Sequence, residues 1–158
     1  MRQHTLLFLI DTEGNKILLA RKKKGFGIGK LNGLGGKVEA GESIEAAAVR
    51  EANEEGGISV EEEDLVRVGD ISFSFKEHPD WDLTCAIFFS YRFSGEPRES
   101  DEMKPEWMFL SAIPYEELWP ADRHWLPMML NGYCVTGEIV NHEHEPCAEF
   151  NLRGVLRS

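Results

Sequence analysis

The chain has 158 residues, of which 42% are hydrophobic, and it carries a net charge of −11. That length supports one domain over residues 1–158 with a real buried core, and no apolar run approaches the roughly 18 residues that cross a membrane. The acidic balance argues against a nucleic-acid polymer as partner, because such binders are basic.

The N-terminal run MRQHTLLFLI has no small-residue cleavage site and reads as a strand, not a signal peptide. Leu6–Ile10 and Lys16–Ala20 flank a polar Asp11–Asn15 segment, which predicts a hairpin. The basic run RKKKGF follows, in a chain that is otherwise acidic. Such clusters are often solvated strand ends. Here Lys22 and its neighbours could instead guide a polyphosphate. The glycine-rich stretch GFGIGKLNGLGGKVE allows the backbone to approach a ligand closely.

Next comes a helix of about 13 residues, Ser43 to Glu55. Ser43 can cap it, Ile44–Arg50 are mostly good helix formers, and Gly56-Gly57 can end it in the left-handed conformation. At 100° per residue, Ile44, Ala47, Ala48, Glu51 and Glu55 share one sector, so the apolar stripe turns acidic in its last turn. Carboxylates there oppose the helix dipole, by about 0.3–1 kcal/mol each, and repel one another. A divalent cation removes both objections. Hard Mg²⁺ prefers carboxylate oxygens and takes its remaining ligands from water and substrate phosphates. The carbonyl of Gly35 or Gly36 could complete the set.

Val66–Lys76 alternates and Leu83–Phe93 is rich in aromatic and β-branched residues, so both read as strands. Trp107–Leu110 reads as a short strand and Pro114–Leu118 as a short helix. Ala121–Leu130 reads as a helix, with Trp125, Leu126, Met129 and Leu130 on its apolar side and Pro127 a source of a kink. Tyr133–Val140 and Ala148–Leu152 close the fold, with Thr136-Gly137 read as a turn. The order predicts an α+β protein, a mixed sheet layered between helices. Cys85, Cys134 and Cys147 form no disulfide framework, which fits a reducing cytoplasm. His142, His144 and Cys147 read as a polar loop, since no second ligand pair stands at zinc spacing.

The acidic helix belongs to a longer pattern: Gly36, Glu42, Arg50-Glu51, Glu54-Glu55, Gly57 and Ile58. A chance match is on the order of one in ten million per starting position. This pattern resembles the signature of the Nudix, or MutT, hydrolases, with Ala52 standing where a large aliphatic residue is usual. The resemblance implies an α/β/α sandwich with a loop–helix–loop that binds Mg²⁺, or Mn²⁺ in its place. It also implies a monomer that cleaves a nucleoside diphosphate linked to another group. Glu51, Glu54, Glu55 and Glu102 would serve as ligands or base, and Arg50 would orient them by pairing with Glu42.

KKKGFGIGKLNGLGGKV, ESDEMKPEW and IPYEELWPADRHWLP resemble the branch that hydrolyses oxidised purine nucleoside triphosphates such as 8-oxo-dGTP. That likeness implies base recognition by Asn32 and Asp122, with Phe26, Phe73, Met103 and Trp119 as pocket positions. Two departures stand out: Leu31 replaces the tryptophan before the asparagine, and Ala121 replaces the first of two aspartates. Competing readings are a related hydrolase acting on ADP-ribose, a nucleotide sugar or a dinucleotide polyphosphate, and a non-catalytic nucleotide-binding module.

Overall fold

A computed structural model describes all residues 1–158. Eight strands form one mixed sheet: β1 (Arg2–Asp11), β2 (Lys16–Lys22), β3 (Leu31–Asn32), β4 (Val66–Phe75), β5 (Leu83–Ser90), β6 (Met103–Phe109), β7 (Tyr133–His142) and β8 (Glu145–Leu156). The order is β3-β2-β1-β5-β4-β7-β8, with β6 also pairing to β2. The β1–β5 and β4–β7 pairs are parallel and the rest antiparallel.

Strand alternation places two cores on opposite faces of this sheet. Leu7, Leu9, Leu18, Ala20, Ala86 and Phe88 pack toward helix α1 (Ile44–Gly56), where they meet Ala48 and Ala52. Phe8, Ile10, Ile17, Leu19, Ile87 and Phe89 pack toward helix α2 (Asp122–Leu130), where they meet Trp125, Leu126 and Met129. The result is the helix–sheet–helix sandwich that the element order predicts. None of the helices is long and apolar enough to cross a membrane.

Several boundaries differ from the sequence reading. β6 starts at Met103, before Trp107, because pairing with β2 carries it through Lys104-Pro105-Glu106. β5 stops at Ser90. The segment before α2 holds two 3-10 turns, Leu110–Ala112 and Tyr115–Glu117, in place of one short helix. α2 runs through Pro127. Thr136-Gly137 is not a turn: β7 continues through it and reverses at Glu143-His144. Gly137 is needed because a Cβ there would lie 2.1 Å from the Asn151 carbonyl oxygen of β8.

Candidate active site

The site forms where α1 ends against the loop that follows β3. Ser43 Oγ accepts the Ala46 N–H at 3.0 Å and fixes the start of the helix. Gly57 stops it at φ 69°, with N–H groups from Gly57 and Ile58 returned to Asn53 and Ala52. The last turn is thereby held with its carboxylates facing the glycine loop. Glu55 is only 6% exposed, and its Oε1 accepts the Gly35 N–H at 2.8 Å.

Arg50 organises the other acids. Its Nε and Nη2 grip both oxygens of Glu42, at 2.7 and 3.0 Å. Its Nη1 donates to Glu51 at 2.9 Å and to Glu54 at 3.1 Å, and Nη2 also donates to the Lys37 carbonyl at 3.1 Å. Glu42 in turn accepts the Glu39 N–H at 3.0 Å. The fork geometry of a guanidinium suits this many-sided task. The glycine pair permits the approach: a Cβ on Gly36 would lie 2.6 Å from Glu51 Oε1, and one on Gly35 would lie 1.9 Å from the Thr5 carbonyl oxygen.

Burial raises the Glu55 carboxyl to a pKa of about 8, helped by the nearby charges of Glu51 and Glu102 and opposed by the Gly35 N–H and Lys22. Burial also raises Glu51, against the pull of Arg50. Hydrogen bonding to Arg50 lowers Glu42. No three His, Cys, Asp or Glu side chains converge tightly enough to cage an ion by themselves. Glu54 leans out to Arg50, and Glu102 sits exposed in the bend before β6. The donors still suit a hard cation. All are carboxylate or carbonyl oxygens, and desolvated, mutually repelling carboxyls are what a divalent charge relieves. Gly35 is the better carbonyl donor, since the Gly36 carbonyl already accepts the Thr5 N–H at 2.9 Å.

A pH dependence follows. A carboxyl whose folded pKa stands above its unfolded value favours the fold while protonated. That stability is fully present below about pH 4.5 and is lost as pH rises toward 8. Asp122, raised from 3.8 to about 7, acts with the same sign. Chelator-treated protein is therefore expected to lose thermal stability between about pH 5 and pH 8. Glu55→Gln should flatten that slope, and Mg²⁺ should stabilise the wild type more at the higher pH. An unchanged slope in the variant would refute the assignment.

The residues expected to hold a base are partly gathered. Trp119 Nε1 donates to Asn32 Oδ1 at 3.0 Å. Phe26 stacks on Trp119, with ring centroids 5.2 Å apart. Phe73 packs at the margin of the α2-side core. Asp122 is 5% exposed at the start of α2, and desolvation raises its carboxyl. The buried Trp125 indole N–H nearby makes no hydrogen bond of good geometry. Met103 pairs with Lys22 across β2–β6 and packs in the α1-side core, on the face of β2 that carries Ala20, the partner of Asn32 across β2–β3. Lys22 lies close enough to Glu55 to lower that carboxyl's pKa. His142 sits at the β7–β8 hairpin end, 3.5 Å from Glu77.

The sequence pattern gives no sign of Lys37, Phe75, His78 or Trp81 as site neighbours. A tryptophan among turn residues, in EHPDWD, is the one signal that could have pointed to Trp81.

The family model described as the NUDIX domain matches residues 1–129. The oxidized purine nucleoside triphosphate hydrolase of Mus musculus is 40% identical over 154 residues, covering 98% of this chain and 96% of that one. The 8-oxo-dGTP diphosphatase of Escherichia coli K12 is 32% identical over 115 residues, covering 72% and 85%. A crystal structure of a MutT protein from Bacillus halodurans superposes with a TM-score of 0.80 at 24% identity, covering 96% of this chain and 97% of its own, which bears on the fold alone. Pattern, acid-ended helix and sandwich agree with these likenesses, and the chain belongs to the Nudix family.

Proposed function

We propose that this protein hydrolyses oxidised purine nucleoside triphosphates such as 8-oxo-dGTP, in the presence of Mg²⁺, to the monophosphate and pyrophosphate. One observation carries the reading: Asn32, held by Trp119 at 3.0 Å, stands three residues before Gly35, whose N–H holds Glu55 at 2.8 Å. One short segment thus joins a base-reading amide to an acidic cluster. The names of the mouse and E. coli relatives support the same substrate class. The free cysteines support a reducing compartment such as the cytoplasm.

Glu51, Glu54, Glu55 and Glu102, with the Gly35 carbonyl, are the groups that would hold Mg²⁺; Mn²⁺ suits the same oxygens. The bound ion supplies charge neutralisation on the phosphates and a lower pKa for the attacking water. Glu55 keeps its Oε1 fixed by Gly35 and leaves its second oxygen for a ligand or a proton. Arg50 holds Glu51 and Glu54 in place, and Glu42 holds Arg50. Lys22 brings positive charge toward incoming phosphates. Catalysis of this kind rests chiefly on such positioning and charge.

At the base, Asn32 offers its amide and Asp122 its carboxyl. With a pKa near 7, Asp122 accepts from a ring N–H when ionised and donates to a carbonyl when protonated. Ala121, 4% exposed, offers nothing polar beside it. Ala121→Asp is expected to change the ratio of kcat/KM for 8-oxo-dGTP over dGTP by about tenfold, the worth of one buried hydrogen bond to a charged group. An unchanged ratio would mean that position 121 does not read the base.

The decisive assay is product identification after incubation with Mg²⁺ and a panel of normal and oxidised triphosphates, ADP-ribose, nucleotide sugars and dinucleotide polyphosphates. Preferential release of pyrophosphate from oxidised purine triphosphates is expected. Hydrolysis of none of the panel would leave only a nucleotide-binding module.

A further inference from the structure

A row of aromatic rings leads away from Trp119, and part of it has no role in the reaction above. Trp81, in the turn between β4 and β5, stacks on His78 at 3.9 Å with planes 15° apart. It meets Phe75 edge-on at 5.8 Å. Phe26 lies tilted against Trp81 with ring centroids 5.4 Å apart, and Phe26 in turn stacks on Trp119.

The backbone is hydrogen-bonded on both sides of this row. The Trp81 turn is fastened. Its carbonyl accepts from Arg2 Nη2 at 2.8 Å, its N–H returns to His78 at 2.9 Å, and Asp82 accepts the Phe75 N–H at 2.8 Å. The Phe26 loop closes on itself: the N–H groups of Ile28, Gly29 and Lys30 donate to the carbonyls of Gly25, Lys22 and Gly27 at 3.2, 2.8 and 3.0 Å. Gly25, Gly27 and Gly29 all adopt positive φ, and Phe26 at its tip is 60% exposed. This loop lies directly on the indole of Trp119, since a Cβ at Gly27 would sit 2.5 Å from Trp119 Cζ2. The backbone fixes the Cα of Phe26 but not its ring, which is mostly exposed and meets Trp119 and Trp81.

We infer that Trp81 is a positioning residue for the base site: it holds the Phe26 ring over Trp119, so that this ring becomes a fixed outer wall against a planar base. The inference rests on the proposed substrate reading for the identity of that base. A bicyclic purine reaches further toward such a wall than a single-ring pyrimidine, so Trp81 acts in favour of purines.

Trp81→Ala is expected to raise KM for purine triphosphates about three- to tenfold, the worth of one aromatic contact, with kcat within about twofold. KM for pyrimidine triphosphates should change less. Trp81→Phe keeps an aryl ring against Phe26 and should restore KM. Calorimetry with purine nucleoside monophosphate in the absence of metal should show the same fold-loss of affinity in Trp81→Ala. Unchanged KM and monophosphate affinity would overturn the inference. So would a joint fall in kcat and thermal stability that Trp81→Phe fails to rescue. Asn32→Ala separates this from the substrate reading: if that variant raises KM and Trp81→Ala does not, only the role of Trp81 fails. If the wild type turns over no purine triphosphate, the substrate reading fails, and the monophosphate affinities still decide Trp81.

Discussion

Replacing Glu55 with glutamine is expected to lower kcat by about three orders of magnitude while leaving the fold intact, a loss equal to about 4 kcal/mol of transition-state stabilisation. The change keeps shape and polarity. A glutamine carbonyl can still accept the Gly35 N–H, the contact Glu55 makes at 2.8 Å. What it removes is negative charge at the most buried acid of the cluster. In the metal-free protein that removal is no burden, because burial already holds the Glu55 carboxyl at a pKa of about 8. The variant should therefore melt no lower than the wild type in chelator and should lose most of the stabilisation that Mg²⁺ gives. Stopped or steady-state turnover, paired with thermal melts with and without Mg²⁺, checks both halves. Near-normal kcat in the variant would remove Glu55 from the machinery.

Arg50→Lys tests the scaffold instead of the ligands, and a loss of about 100-fold in kcat is expected, in line with displaced catalytic groups. Charge is conserved, but one ammonium cannot span Glu42, Glu51, Glu54 and the Lys37 carbonyl together, as the guanidinium does. Glu51 and Glu54 would lose their common anchor next to Glu55. The apparent Mg²⁺ requirement should rise along with the fall in kcat. If a kinetic titration showed turnover and Mg²⁺ dependence both within about twofold of wild type, orientation of the acids by Arg50 would be refuted.

The helix that carries these acids was fully legible in the sequence because every signal agreed locally: a serine cap, helix formers, and glycines at the stop. The N-terminal hairpin was legible as two short apolar runs around a polar segment, and the Val66 strand through alternation. What escaped was decided by tertiary contact. Thr136-Gly137 has the composition of a turn, yet the glycine serves the close approach of β8. Lys104-Pro105-Glu106 look unlike a strand, yet β2 pairs with them. At the site, the helix carboxylates could be named from their spacing, and Asn32 from the family resemblance. The Asn32–Trp119 bond, 87 positions apart in the chain, could not.

The stretch from Asn32 to Val38 is pinned along β1. Leu34 exchanges hydrogen bonds with Leu7 at 2.6 and 2.9 Å, Thr5 donates to Gly36 at 2.9 Å, and Val38 donates to Gln3 at 2.9 Å. It cannot stretch or slip without breaking that ladder. On the proposed reading it is a ruler. One end marks the base and the other marks the acid cluster, so its fixed length selects which phosphorus of the chain is presented to the water. The bond that breaks is then set by backbone pairing outside the acidic helix.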